Sequence, residues 1–255
     1  MFACNPKYMP QSHSDTPIIG FKAKNSKIAI AGCWVSEVYL KSLKEFKSPK
    51  RAQDNGLLLI IPKRVNEKVS YMEAFHDDFD YYSILKNKNT YEIWEIINDN
   101  PPKLEFVIEV ISPTRIKIGT IVLEKINPLI KSDFLRRGLK EQVMIQEDLL
   151  FKGKYITSDN RKVEFTKDGK IKGLDDFYFY QPINDYYDMG MQVDQLLLVK
   201  SRKNIEWKDL EYFGFTFNHD TLELYKLNCI SFDTTSGYCG EVENGELKYK
   251  LWRIR

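Results

Sequence analysis

The stretch Lys103-Leu104-Glu105-Phe106-Val107-Ile108-Glu109-Val110 decides the fold. Leu104, Phe106, Ile108 and Val110 alternate with Lys103, Glu105, Val107 and Glu109. Successive side chains of a strand point to opposite faces, so a period of two predicts a strand with one face buried and the other partly wet. Short segments of the same kind extend outward in both directions. Upstream, Ile28 to Val35 and Tyr91 to Ile97 read as strands, and the continuous apolar run Leu57 to Ile61 as a fully buried one. Downstream, Ile116 to Ile126 follows the Ser112-Pro113 turn, and Val163 and Phe165 alternate with Glu164 and Thr166. Phe177 to Tyr180, Gln192 to Lys200, Tyr212 to Asn218, Thr221 to Phe232 and Leu247 to Ile254 follow. Asp168-Gly169 and Asn244-Gly245 mark hairpin turns. Many short strands with local connections predict a mainly β chain of antiparallel, up-and-down meander barrels, in which closure removes exposed edges.

Two segments break the β pattern. Ser36 caps an expected helix over Glu37 to Phe46, and Pro49 starts a second short one. Between Pro128 and Leu150, Ile130, Phe134, Leu139, Val143 and Leu150 recur at roughly helical spacing. The chain therefore divides into a tether over 1–26, a β-barrel-like module over 27–127, a helical connector over 128–150 and a second β module over 151–255. Modules of about a hundred residues are small for self-sufficient cores, so they are expected to pack together through the connector.

Composition removes several function classes. No run of about 18 apolar residues exists to form a spanning helix. The net charge of +2 over 255 residues gives no general case for nucleic acid, and no basic aromatic strand motif adds one. The three histidines, His13, His76 and His219, are too scattered for a zinc site. Neither a glycine-rich phosphate loop nor a GxSxG elbow occurs. No metal, cofactor or catalytic residue is therefore expected. The densest acidic cluster, His76-Asp77-Asp78-Phe79-Asp80, reads either as a solvated turn or as an acid–base or ligand set. Asn184-Asp185-Tyr186-Tyr187-Asp188 reads first as a turn. Lys41, Lys44, Lys47, Lys50 and Arg51 recur along one helical stripe, either as a solvent face or as an attraction for anionic lipid or an acidic partner.

Phe2-Ala3-Cys4 followed by a polar stretch resembles the end of a bacterial lipoprotein signal peptide, in which the cysteine carries the lipid. That resemblance implies a chain anchored at Cys4 in the cell envelope and facing periplasm or exterior. If Met1 is instead the true start, the chain is cytoplasmic. Asn5 to Asn25, with three prolines and little periodicity, reads as a flexible tether. Cys229 and Cys239 are ten residues apart and sterically able to form a disulfide, as suits an exported protein. Cys33 reads as a small buried side chain.

Gly32-Cys33-Trp34 and Gly153-Lys154-Tyr155 each open a module, and their spacing resembles the first-strand Gly-x-Trp of the lipocalin-like, or calycin, barrels. The second module is similar to the short lipocalin-like domains of bacterial lipoproteins. In that family the tryptophan closes one end of the barrel, which implies a barrel-closing core of Trp34, Tyr155 and Trp252. A late arginine packs over the tryptophan in lipocalins. Arg253 fills that part only if the two halves close one barrel.

Three functions stay open. The first is an exported, lipid-anchored, non-enzymatic barrel binding a small apolar or amphipathic ligand in its lumen or between modules. The second is a cell-surface interaction or scaffold protein with filled barrels, binding a protein or glycan. The third is a carboxylate-dependent hydrolase or isomerase around His76, with Asp77 and Asp78 beside it. Oligomeric state is not readable from the sequence.

Overall fold

A computed structural model describes residues 28–64, 69–73, 77–81, 83–87, 90–95, 102–126, 141–183, 192–202, 205–233 and 238–254. Two antiparallel sheets, a half-barrel and a nearly closed barrel, make up the fold. The first contains β1 (Gly32–Ser36), β2 (Leu57–Ile61), β3 (Val69–Glu73), β4 (Asp77–Tyr81), β5 (Ser83–Asn87), β6 (Thr90–Glu95), β7 (Lys103–Ser112), β8 (Arg115–Ile118) and β9 (Ile121–Ile126). Its spatial order is β4-β3-β2-β1-β9-β8-β7-β6-β5, so the first strand pairs with both the second and the last. The decisive alternation lies in β7, where Ile108 is fully buried and Val107 and Glu109 are exposed; Leu104, expected on the buried face, is 41% exposed near the strand's start. The single strand expected from Ile116 to Ile126 is two, split by a turn at Gly119.

The second sheet contains β10 (Gly153–Thr157), β11 (Lys162–Phe165), β12 (Ile171–Lys172), β13 (Phe179–Ile183), β14 (Gln195–Val199), β15 (Leu210–Asn218), β16 (Thr221–Asp233) and β17 (Tyr238–Ile254). Its order is β12-β11-β10-β17-β16-β15-β14-β13, again joining first strand to last. A bridge between Lys170 and Phe179 brings the two edges together, with Ile171 N–H donating to Tyr178 C=O at 2.8 Å and Tyr180 N–H to Gly169 C=O at 2.8 Å.

Helix α1 (Glu37–Phe46) follows β1 directly, because the Ser36 hydroxyl accepts the Tyr39 N–H and ends the strand. Lys47 closes it in the left-handed conformation, and α2 (Pro49–Ala52) starts at a proline whose missing N–H costs nothing there. The described part of the connector is α3 (Glu141–Gln146) and a π-helical turn, Glu147–Phe151. Residues 128–140 of the expected connector, and the 1–26 tether, lie outside the described residues.

The two sheets share packing. Trp34, Leu57, Leu59 and Ile61 fill the half-barrel, whereas Cys33, Val35 and Leu58, one residue out of phase, face the other way. That second face joins Tyr39, Leu40 and Leu43 of α1, Ile145, Leu150 and Phe151 of the connector, and the C-terminal barrel in one continuous apolar cluster. Burial on both faces explains why β2 reads as an unbroken apolar run. Polar groups fix the junction. Asp194 accepts the Lys50 N–H at 2.8 Å, Lys50 Nζ donates to Gln192 C=O at 2.7 Å, and Lys47 Nζ donates to His219 C=O. The basic stripe is thus partly a clasp between sheets, a use neither sequence reading foresaw.

Candidate functional site

The half-barrel and the nearly closed barrel carry the same device at one end. Trp34 and Tyr155 are fully buried. Trp34 Nε1 donates to Ile30 C=O at 2.9 Å, and Tyr155 OH donates to Phe151 C=O at 2.7 Å, both four residues back. Opposite Trp34 in register is Lys125, whose ammonium sits 5.2 Å from the ring centre. Opposite Tyr155 is Arg253, its guanidinium 5.3 Å from the ring centre and donating to Tyr155 OH at 2.7 Å and to Leu150 C=O. Gly32 (φ 142°) and Gly153 (φ 157°) hold backbone conformations that side chains rarely adopt. A Cβ on Gly32 would lie 2.6 Å from Lys125 Cε. Arg253 therefore acts within its own barrel, correcting the expectation that it needs both halves to close one. Burial pushes the Tyr155 hydroxyl's pKa up, against the opposing pull of Arg253.

Trp252 does not belong to this closing core. Its neighbour Leu251 faces inward, so period-two alternation turns Trp252 outward, where it is 40% exposed. The Asn244-Gly245 turn is also corrected. Both residues lie inside β17, because β16 and β17 run on past the barrel through several bulges. Asn244 packs over Gly214, and Gly245 faces the Asn228 side chain.

Among the described residues, side chains pack the interior of the C-terminal barrel. Phe151, entering from the connector, lies 5.0 Å from Phe215, 5.4 Å from Phe217 and 5.5 Å from Tyr180, measured between ring centres. Phe165, Leu222, Leu224 and Leu251 fill the rest. Open space instead lies at the far end, where β16 and β17 leave the barrel: a cleft of about 640 Å³. Its floor is Phe177, Phe213 and Tyr249, with Phe177 and Phe213 edge to face at 6.0 Å. Tyr212, 42% exposed, adds an aromatic wall. The rim mixes charge: Asp175, Asp176 and Glu211 against Lys200, Lys226 and Lys248. Lys200 pairs with Glu211 and lies 5.3 Å from the Phe177 ring centre. Such a surface stacks on flat or apolar groups and hydrogen-bonds polar ones of either sign.

Beyond the cleft the two strands form an exposed ribbon. A Cys229–Cys239 disulfide links them, with Cα atoms 5.7 Å apart. Two-stranded ribbons are marginal alone, and a cross-link restrains their opening. Ile230 and Phe232 on it are 56% and 60% exposed.

Of the other candidates, Cys4, His76 and Asn184 to Asp188 lie outside the described residues. Asp77 and Asp78 fall in β4. Cys33 is buried and is not part of the disulfide. The cleft residues escaped the sequence reading because they come from five separate segments. The exposed aromatic Tyr212, just before the inward Phe213, was the one local signal.

No family model, curated protein or solved structure matches the chain. The reading of the cleft therefore rests on its own geometry.

One titration reports on it. Tyr249 OH donates to Asp175 at 2.6 Å, and Arg161 holds the same carboxylate at 2.6 Å; together they lower the Asp175 pKa. Burial and that carboxylate raise Tyr249 above the usual phenol range. A lowered folded-state pKa gives stability above the unfolded aspartate range that fades as pH falls through the folded value. The stability difference between the parent and Tyr249→Phe should be about 0.5–1 kcal/mol near neutrality, kept small by the solvent around Asp175. It should shrink steadily below about pH 4. Urea unfolding across pH checks both statements.

Proposed function

We propose that this chain is an exported, non-enzymatic binding protein built from two lipocalin-like modules and lipid-anchored through Cys4. It takes a small amphipathic molecule at the mouth of the C-terminal barrel. The observation that carries the reading is the 640 Å³ cleft with its aromatic floor and mixed-charge rim, set above a filled lumen. Its volume falls in the range of small-molecule sites. The lipocalin-like reading is supported by two meanders that each join first strand to last, with a cation from the last strand over the aromatic of a Gly-x-aromatic opening. The disulfide suits an exported chain.

Native mass spectrometry of the chain purified from its own host tests this. The expected spectrum contains one bound small molecule, lost in Tyr212→Ala, together with a lipid mass on the Cys4 peptide. Protein that leaves its host empty of any small molecule, with an unmodified Cys4, would overturn the reading.

A second reading, a scaffold for a protein partner, is favoured by the ribbon alone. Leu227 to Leu247 contains Asp233, Glu241, Glu243 and Glu246 and no lysine or arginine, beside the exposed Ile230 and Phe232. Cross-linking in the host that captures one basic partner, lost in Phe232→Ser, would support it over the cleft.

A further inference from the structure

A second, smaller cavity of about 80 Å³ lies at the plugged end of the C-terminal barrel, where α1, the connector and the β15–β16 turn meet. Lys44 and Lys47 reach it from α1, His219 and Asp220 from the turn, and Arg253 from β17; Leu150 and Phe217 form its apolar wall. Among the described lining residues three permanent cations thus face one carboxylate, an excess of two positive charges, with Lys44 exposed to solvent at the cavity mouth. Such a local surplus of one sign attracts counter-ions.

The cations are not all committed. Lys47 Nζ donates to His219 C=O, and Arg253 Nε and Nη2 serve Tyr155 OH and Leu150 C=O. That leaves Arg253 Nη1 and the Lys44 ammonium without a partner among the described residues. A guanidinium edge and an ammonium are the donors that hold phosphate oxygens. A water needs about 10–15 Å³ of such cavity space, so the cavity has room for a single tetrahedral oxyanion.

We propose that this junction binds one phosphate group, with Lys44, Lys47 and Arg253 as its donors. Two donors come from α1 and its C-terminal cap and one from β17, so occupancy also clamps α1 to the second sheet. The site is separate from the cleft and does not depend on how the cleft is read.

The chemistry is the same whether the group is free phosphate or a lipid headgroup, and two titrations of the full chain separate these sources. Inorganic phosphate is titrated against chloride at constant ionic strength, followed by calorimetry and thermal unfolding. Flotation of the Cys4→Ser full chain, which lacks the proposed anchor, with phosphatidylglycerol vesicles is compared with phosphatidylcholine vesicles. Free phosphate as the source gives saturable binding and a rising unfolding midpoint. A headgroup gives flotation with phosphatidylglycerol only. In either case Lys44→Gln should weaken binding about tenfold, the loss of one charge-assisted contact. Lys41→Gln, which removes the same charge from α1 at a position that is exposed like Lys44 but does not line the cavity, should leave it unchanged. The proposal is overturned if neither probe binds, or if Lys41→Gln weakens binding as much as Lys44→Gln, which marks diffuse surface charge.

Discussion

Phe151→Ala should destabilise the chain by about 3–5 kcal/mol, the cost of emptying an aromatic site in a packed core. The ring is fully buried and touches Phe165, Tyr180, Phe215 and Phe217 from three separate strands, β11, β13 and β15. It is also the last residue of the connector, so the same substitution loosens the hold of the connector on the barrel. Relaxation is limited because the neighbouring rings sit on hydrogen-bonded strands. Urea unfolding should show a lower midpoint with an unchanged slope. A loss below about 1 kcal/mol would mean that the barrel interior is loose rather than filled.

Arg253→Met should cost about 2–3 kcal/mol for a different reason. Methionine replaces much of the apolar stem but removes every donor, leaving Leu150 C=O without the bond it accepts. Tyr155 keeps its own bond to Phe151 C=O, so the plug weakens without falling out. Arg253→Lys should recover part of the loss. Lys125 does the corresponding work over Trp34 in the other sheet, but an ammonium cannot serve two acceptors in one plane as a guanidinium does. Unfolding midpoints of the parent and both variants check the order arginine, lysine, methionine.

Strand and helix character was legible wherever one local rule governed it. The alternation around Ile108, the apolar run Leu57–Ile61 and the Ser36 cap of α1 each follow from a single period or a single side chain. Asn244-Gly245 misled because turn chemistry was read without its partner strand. With Asn244 paired to Leu227 and packed over Gly214, and Gly245 against the Asn228 side chain, the same dipeptide serves a bulged ribbon instead. Trp252 misled because type was weighed over phase. Its neighbours already placed it on the outer face of β17. The shared use of Lys47 and Lys50 was beyond local reading, since their acceptors at His219, Gln192 and Asp194 lie more than 140 residues away. The cleft was hidden for the same reason, because Asp175, Lys200, Phe213 and Tyr249 become neighbours only when the meander closes.

The central claim is that the barrel interior is occupied by the protein itself and that small molecules meet the chain at its mouth. Leucine-methyl NMR spectra, recorded while the full chain is titrated with 8-anilinonaphthalene-1-sulfonate, test it most directly. Saturable shifts should appear at Leu210 and Leu227, which line the cleft, while Leu198, Leu222, Leu224 and Leu251 inside the barrel stay in place. Shifts at the interior leucines, or no saturable shift at Leu210 and Leu227, would contradict it.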